Sequence, residues 1–246
     1  MVYPATDALG YERLMGRWSR QLAEPFLDFT GHGDEEQVLD IGCGTGNLTR
    51  ALAARTCGGG LTGVDLSPVY VAYAQGHTSD SRCSFYENDA THLMFADGRF
   101  DRVLSLLVLQ FIPDWQTALA EMRRVAKPGA IIGAAVWDNR GGFVSQRVFW
   151  GTAAAVLPSA IEQRNRHCTR PLNRPGELAG ALRATGIENV AETCLAIRMV
   201  FESFEDYWAA FEGQEGPVAR YVGALTGDER NRLRAAVRSA YLDGEP

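Results

Sequence analysis

The chain has little of what builds stapled or metal-clipped folds. Its five cysteines, Cys43, Cys57, Cys83, Cys168 and Cys194, are odd in number, scattered and never spaced Cys-x-x-Cys. Neither a disulfide framework nor a zinc site follows from that spacing, and free thiols are expected. The four histidines, His32, His77, His92 and His167, form no ligand-spaced cluster, and no Ser-His-Asp or Cys-His constellation stands out. That argues against an activated nucleophile. No apolar run approaches the roughly 18 residues needed to cross a bilayer. Met1 to Gly10 lacks the basic start and apolar middle of a signal peptide, so a cytoplasmic protein with no membrane partner is expected. Positive charge is also short: the formal net charge is -6 and the pI about 5.3. A broad footprint for phosphate backbones is therefore missing, and nucleic acid is not expected as a partner.

What is present is a turn signal. From Val38 to Thr49 the sequence reads VLDIGCGTGNLT, an apolar strand running into three close glycines and then a helix. Asp40 ends the strand, and Gly42, Gly44 and Gly46, with Cys43 between them, let the backbone turn sharply and a ligand lie against the main chain. The sixth position of the dinucleotide fingerprint is Asn47, so the third glycine comes one residue early for a nicotinamide cofactor. A second β-type run, LTGVDLSP, ends in Asp65, about 20 residues beyond the turn, where a carboxylate can accept both hydroxyls of a ribose. A third, FYENDA, resembles a strand ending in Asn88, Asp89 and Ala90, at the third position along such a sheet, where a carboxylate can meet an adenine amino group.

Strand and helix signals alternate along the rest of the core. Helices are expected over Asn47–Arg55, Pro68–Gln75 and Trp115–Ala126, and buried strands over Arg102–Leu109 and Ala130–Trp137. This predicts an α/β fold: a Rossmann-like, doubly wound, mostly parallel sheet with helices on both faces and its ligands above the carboxyl ends of the strands. Ahead of it, Tyr11, Leu14, Met15, Trp18 and Leu22 recur at helical spacing and predict an amphipathic cap helix. With 46% hydrophobic residues in 246, one substantial core is expected. The expected organisation is a single domain: an N-terminal cap over 1–34, a cofactor-binding core over 35–139, a lid insertion over 140–174, and over 175–246 the rest of the core with added helices. Pro175–Thr185 reads as a helix, Val190–Phe201 as a long edge-region strand, and two further helical patterns lie around Glu205–Glu212 and Asp228–Leu242.

Taken in order, DIGCGTG, GVDLSP, NDA, FDRVLSLLVLQFIPD and RVAKPGAIIGAAVWD resemble the class I S-adenosylmethionine-dependent methyltransferases, particularly the small-molecule branch that includes the quinone-biosynthesis methyltransferases. The resemblance covers about Tyr11 to Asn139. It implies S-adenosylmethionine as cofactor and a small-molecule methyl acceptor, with transfer by in-line displacement. Asp40, Gly42, Cys43, Gly44 and Gly46 would shape the turn, Asp65 would take the ribose diol, Leu66 would flank the adenine, and Asp89 with Ala90 would recognise its edge. Ser105 and Leu106 complete the expected cofactor set. It also implies that the cap folds over the ligand; Arg17 would pair there with the methionyl carboxylate through its planar fork. Tyr11, Gln110 and Trp137 are the candidates around the reacting methyl group.

Several expectations concern what the family pattern lacks here. Ser105, Leu106, Leu107 and Val108 stand where nucleobase and glutamine methyltransferases carry an Asn or Asp followed by two prolines, so a clamp for a planar amine is missing. Asp138 and Asn139 match a magnesium-holding pair of catechol-type enzymes, but the acid expected on the preceding strand is absent, and no metal is assigned. His167 lies beside Arg164, Arg166 and Arg170, a basic pocket for an acidic small molecule or a solvated loop. Family members end with an antiparallel hairpin, whereas this chain ends in helical patterns, leaving an open sheet edge. Leu233, Val237 and Tyr241 form an apolar stripe for core contact or a homodimer. A dinucleotide-dependent oxidoreductase and a non-catalytic S-adenosylmethionine-binding protein are the alternatives.

Overall fold

The computed structural model describes residues 7–213 and 215–242. Five parallel strands form one sheet in the order β3-β2-β1-β4-β5: β1 (Gln37–Ile41), β2 (Gly60–Asp65), β3 (Cys83–Glu87), β4 (Phe100–Leu106) and β5 (Ala126–Ala135). Parallel neighbours need crossovers, and helices supply them. The chain runs from β1 through α3 (Asn47–Arg55) to β2, through α4 (Pro68–Gly76) to β3, and from β4 through α5 (Trp115–Val125) to β5. Local chemistry sets these helix starts. Gly46 turns into α3 at φ +85°, Ser67 accepts from Tyr70 N–H (3.2 Å) with Pro68 in the first turn of α4, and Asp114 accepts from Thr117 N–H (3.1 Å) at α5.

Each face of the sheet is covered. Leu39, Val103, Phe100, Leu119 and Met122 pack between the sheet and α5, with Leu182 of α8 (Glu177–Ala184). Leu22, Phe26, Leu48, Leu52 and Leu104 fill the other side under α2 (Arg17–Thr30) and α3. The cap begins as α1 (Ala8–Tyr11) and passes through one π-helical segment, Glu12–Gly16, into α2. Beyond β5, α6 (Val144–Val156) and α7 (Ala160–Cys168) are followed, after α8, by α9 (Phe204–Ala209), α10 (Gly216–Gly223) and α11 (Gly227–Leu242). Phe149, Trp150, Tyr207, Trp208, Leu233 and Val237 make a second aromatic-rich core there. All five cysteines are free.

Three expectations are corrected, and the choice left open for the α11 stripe is resolved as core contact. The strand read as Arg102–Leu109 stops at Leu106, because Leu107 turns the chain at φ +68° and Leu109–Phe111 forms a 3-10 turn. The strand expected over Ala130–Trp137 is an edge strand rather than a doubly buried one, with Ile131 exposed. Val190–Phe201 carries no ladder and no regular element, with Leu195 and Ile197 packed on the α2 side. The stripe of α11 is spent on core contact, since Leu233 and Val237 are fully buried and Tyr241 stacks on Tyr207 with centroids 4.9 Å apart.

Candidate active site

The carboxyl ends of the strands border a cavity of about 640 Å³, a volume typical of small-molecule sites. The glycine turn after β1 lies against it. Gly42 and Gly44 adopt φ +68° and +53°, left-handed backbone that favours glycine. A Cβ on Gly42 would lie 2.5 Å from the Val108 side chain, so the turn has no room for one. The N–H groups of Gly42 and Cys43 both donate to the Val64 carbonyl (2.8 and 2.9 Å), which fastens the turn to β2.

Three acids stand near the turn. Asp65, at the tip of β2, accepts from Gly44 N–H and Ser67 N–H, both at 2.9 Å, and lines the cavity. Burial pushes its carboxyl above the ordinary range, against the opposing pull of those N–H bonds. Asp40 lies beneath the turn, buried, accepting from Thr49 Oγ1 at 2.7 Å while its other oxygen has no partner. Burial, with the Asp65 charge adding to it, raises Asp40 to about 7. Asp89, beyond β3, is exposed at the cavity wall and accepts from Thr91 N–H and Oγ1 at 2.8 Å through one oxygen. Among the described residues no positively charged side chain forms a salt bridge with any of these three. Such a cluster suits a ligand that brings cationic charge and hydroxyl donors.

The cap closes over the turn. Tyr11, Leu14 and Met15 line the cavity, and the Tyr11 ring packs on Tyr70 with centroids 4.8 Å apart. Burial, then the Asp65 and Glu12 charges, push the Tyr11 phenol far up, so it keeps its proton and can donate but not act as a base. Glu12, in the π-helical segment, accepts from Thr45 Oγ1, from Arg20 and from Asn47 Nδ2 (3.0 Å). Gly16 leaves room for it, since a Cβ there would overlap the Glu12 carboxylate. Asn47, at the final-glycine position of the dinucleotide fingerprint, thus fastens the cap to the turn.

The other expected site residues divide. Leu66, Ala90, Leu106 and Trp137 line the cavity with Asp65 and Asp89. Cys43, Gly46, Asp40 and Ser105 do not: they support the turn and β4 from below, with Ser105 fully buried. Two assignments are corrected. Arg17 donates through Nη1 to Asp206 at 3.0 Å and lies over the rings of Trp18 and Phe201, so it holds α9 and does not line the cavity. Gln110 is 2% exposed and its Oε1 accepts from Trp137 N–H (3.0 Å), a bond between the 3-10 turn and the end of β5, so it does not face an acceptor. Asp138 accepts from the N–H groups of Arg140, Gly141 and Gly142 and shapes that turn. Among the described residues no cluster of three acids, histidines or cysteines is placed to hold a metal.

Sequence reasoning missed part of the wall. Phe143 and Gln146 come from the start of α6, and Gly216 and Pro217 from the start of α10. The α10 signal was present: Pro217 in a first turn, then Val218 and Val222 four apart. Of the basic cluster near His167, only Arg170 reaches the wall; Arg166 pairs with Glu162 and Arg164 with Asn165.

Residues 39–133 match the family described as a methyltransferase domain. An uncharacterized protein of Mycobacterium tuberculosis is 33% identical over 224 residues, covering 86% of this chain and 77% of that one. The ubiquinone biosynthesis O-methyltransferase of Pseudomonas aeruginosa is 30% identical over 156 residues, covering 62% and 65%. The chain belongs to the class I S-adenosylmethionine-dependent methyltransferases. Its fold also matches a Haemonchus contortus phosphoethanolamine N-methyltransferase solved with S-adenosylhomocysteine, at a TM-score of 0.59 and 20% identity over 97% of this chain and 54% of that one. The cofactor of this methyltransferase family is S-adenosylmethionine, and the acid-lined glycine turn fits its sulfonium charge and ribose hydroxyls. Among the described residues no helix is long and apolar enough to cross a membrane.

Proposed function

We propose that this methyltransferase acts on a small-molecule acceptor by in-line displacement. The observation that carries the reading is that the acids of the cofactor turn and an aromatic wall share one cavity of about 640 Å³. That volume suits a cofactor's reactive end and a compact acceptor. The identity of the ubiquinone relative as a small-molecule O-methyltransferase supports the same class.

In this reading Asp65 takes the ribose diol, Leu66 packs on the adenine, and the free oxygen of Asp89 accepts from the adenine amino group. Gly42 and Gly44 allow the ligand to touch main chain, and Tyr11 roofs it. Bound there, S-adenosylmethionine supplies a methyl group on a sulfonium whose leaving group departs neutral. The protein's part is then to hold the acceptor in line at near-attack distance and to exclude water. Phe111, Trp137 and Phe143 wall the acceptor side, with Trp137 and Phe143 stacked at 4.3 Å. Residues 140–174 act as the lid.

The test is transfer of labelled methyl from S-adenosylmethionine into a fractionated cell extract. Label in the low-molecular-weight fraction is expected. Label confined to protein or nucleic acid overturns the small-molecule reading.

A further inference from the structure

Among the described residues the cavity wall carries one arginine and no lysine, and no carboxylate forms an ion pair with that arginine. It is Arg170, just beyond α7. Its guanidinium carbon sits 4.5 Å from the centroid of the Phe111 ring, and its Nε is buried without a hydrogen-bond partner. The ring holds the face of the guanidinium, which leaves the donor edge to find a partner elsewhere. Removing a charge from water without a counter-charge is costly, so a fold that keeps one on a cavity wall gains when a ligand brings the opposite charge.

Beside it stands His167, 8% exposed, on the same wall, with its Nε2 buried and unpartnered. Burial first, and the Arg170 charge second, lower this imidazole to about 4, so at neutral pH it offers a neutral polar nitrogen. Asn139 adds another unpartnered buried amide, Nδ2, on that wall. Arg170 is therefore the one lining cation of this part of the cavity, and the nearby lining carboxylate, Asp114, is engaged by Thr117 N–H and Oγ1 at the start of α5. The strand order places it away from the cofactor acids: Phe111 and Asn139 follow β4 and β5, whereas Asp65 and Asp89 follow β2 and β3, with β1 between. An anion bound at Arg170 lies over the half of the sheet that those acids do not occupy.

Building on the methyltransferase reading above, we propose that the methyl acceptor carries a carboxylate, which Arg170 binds through its fork while Phe111, Trp137 and Phe143 hold a flat apolar body. One guanidinium matches one carboxylate in charge and in bidentate geometry. A phosphate dianion would leave a net negative charge against an apolar wall. His167 and Asn139 complete the carboxylate's hydrogen bonds from the side.

The test uses the full chain saturated with S-adenosylhomocysteine and three probes of similar shape, benzoate, benzamide and phenyl phosphate, titrated by calorimetry. Benzoate binds the parent protein more tightly than either of the others. In Arg170→Gln its dissociation constant rises at least about tenfold, the scale of one charge-assisted bond. Benzamide binding is unchanged by the substitution, and Arg170→Lys, which keeps the charge but not the fork, falls between. Affinity for S-adenosylhomocysteine is the same in all three proteins. Equal binding of benzoate and benzamide, tighter binding of phenyl phosphate, or no effect of Arg170→Gln on benzoate each overturns the proposal. So does a loss of S-adenosylhomocysteine affinity in Arg170→Gln, which would assign the guanidinium to the methionyl carboxylate. A parent protein that fails to bind S-adenosylhomocysteine sinks the cofactor reading itself, and the proposal falls with it.

Discussion

Asp65→Asn separates the cofactor role of that residue from any part it has in holding the fold together. The substitution keeps the size of the side chain and removes one acceptor oxygen and the charge. In the structure the two oxygens accept from Gly44 N–H and Ser67 N–H, both at 2.9 Å, and the amide can keep only one such bond. That loss is about 1–2 kcal/mol. Against it stands the burial that raises the Asp65 carboxyl above its ordinary range and makes the charged form unfavourable in this cleft. The amide is free of that cost, so the two changes offset and stability stays within about 1 kcal/mol of the parent. Cofactor binding has no such compensation. Losing a charge-assisted bond to a ribose hydroxyl costs about 1.5–3 kcal/mol, or roughly 10- to 150-fold in affinity. Urea denaturation reports the first quantity and calorimetry with S-adenosylhomocysteine the second. The reasoning is refuted if affinity stays within about threefold of the parent, below 1 kcal/mol, or if stability falls as far as binding does.

Gly42→Ala combines a left-handed backbone with a Cβ 2.5 Å from Val108, and should destabilise by about 2–4 kcal/mol in a melt, with Val108→Ala recovering part of the loss. Gly44→Ala, whose Cβ would meet the Tyr11 side chain at 3.5 Å and beyond, an ordinary contact, should cost less stability, about 1–2 kcal/mol, while weakening S-adenosylhomocysteine binding. Glu12→Gln should lose about 1–3 kcal/mol and make the cap more sensitive to protease. Burial would raise the Glu12 carboxyl, but its bonds from Thr45, Arg20 and Asn47 hold it below the ordinary 4.5; its contribution is therefore present above that pH and fades as pH falls through the folded value, which acid titration of parent and variant will compare. Asp40 has the opposite sign. Its folded value of about 7 exceeds the unfolded one near 3.8, so the folded state holds the extra proton and stability declines as pH rises between them. Asp40→Asn should remove that component, on the order of 2–4 kcal/mol, and denaturant midpoints that give parallel pH curves for the two proteins would refute it.

The parts of the site closest to a strand tip were readable from sequence. Asp65 and Asp89 follow short β-type runs whose length fixes where they end, and α3 was placed to the residue because Gly46 and Thr56 bound it. Backbone reversals were harder. The apolar run of β4 continues unbroken through Leu107, Val108 and Leu109, so hydrophobicity cannot reveal that the chain turns at Leu107. The alternation in Val190–Phe201 is real, with Leu195, Ile197 and Met199 partly covered, but a ladder also needs a neighbour, which spacing along one segment does not specify. Arg17 failed for a related reason. Its partner, Asp206, is 189 residues away, and a guanidinium takes whichever acid the tertiary fold brings. Gln110 shows the same limit at short range, its amide claimed by a backbone N–H at the end of the next strand.

The bond from Asp7 N–H to Glu215 spans 208 positions, and the same carboxylate also accepts from the Tyr70 hydroxyl at 3.0 Å. Tyr70, in turn, packs at a tilt against Tyr11 beside the glycine turn, and Gly216 and Pro217 sit on the cavity wall. During synthesis, a nascent chain halted before Glu215 would hold the whole sheet with Asp65 and Asp89, yet would lack this keystone. Competence for binding therefore arrives late on the ribosome, after the sheet has formed. Shortening the protein from the α10 side should cost the enclosure of the cleft before it costs the sheet.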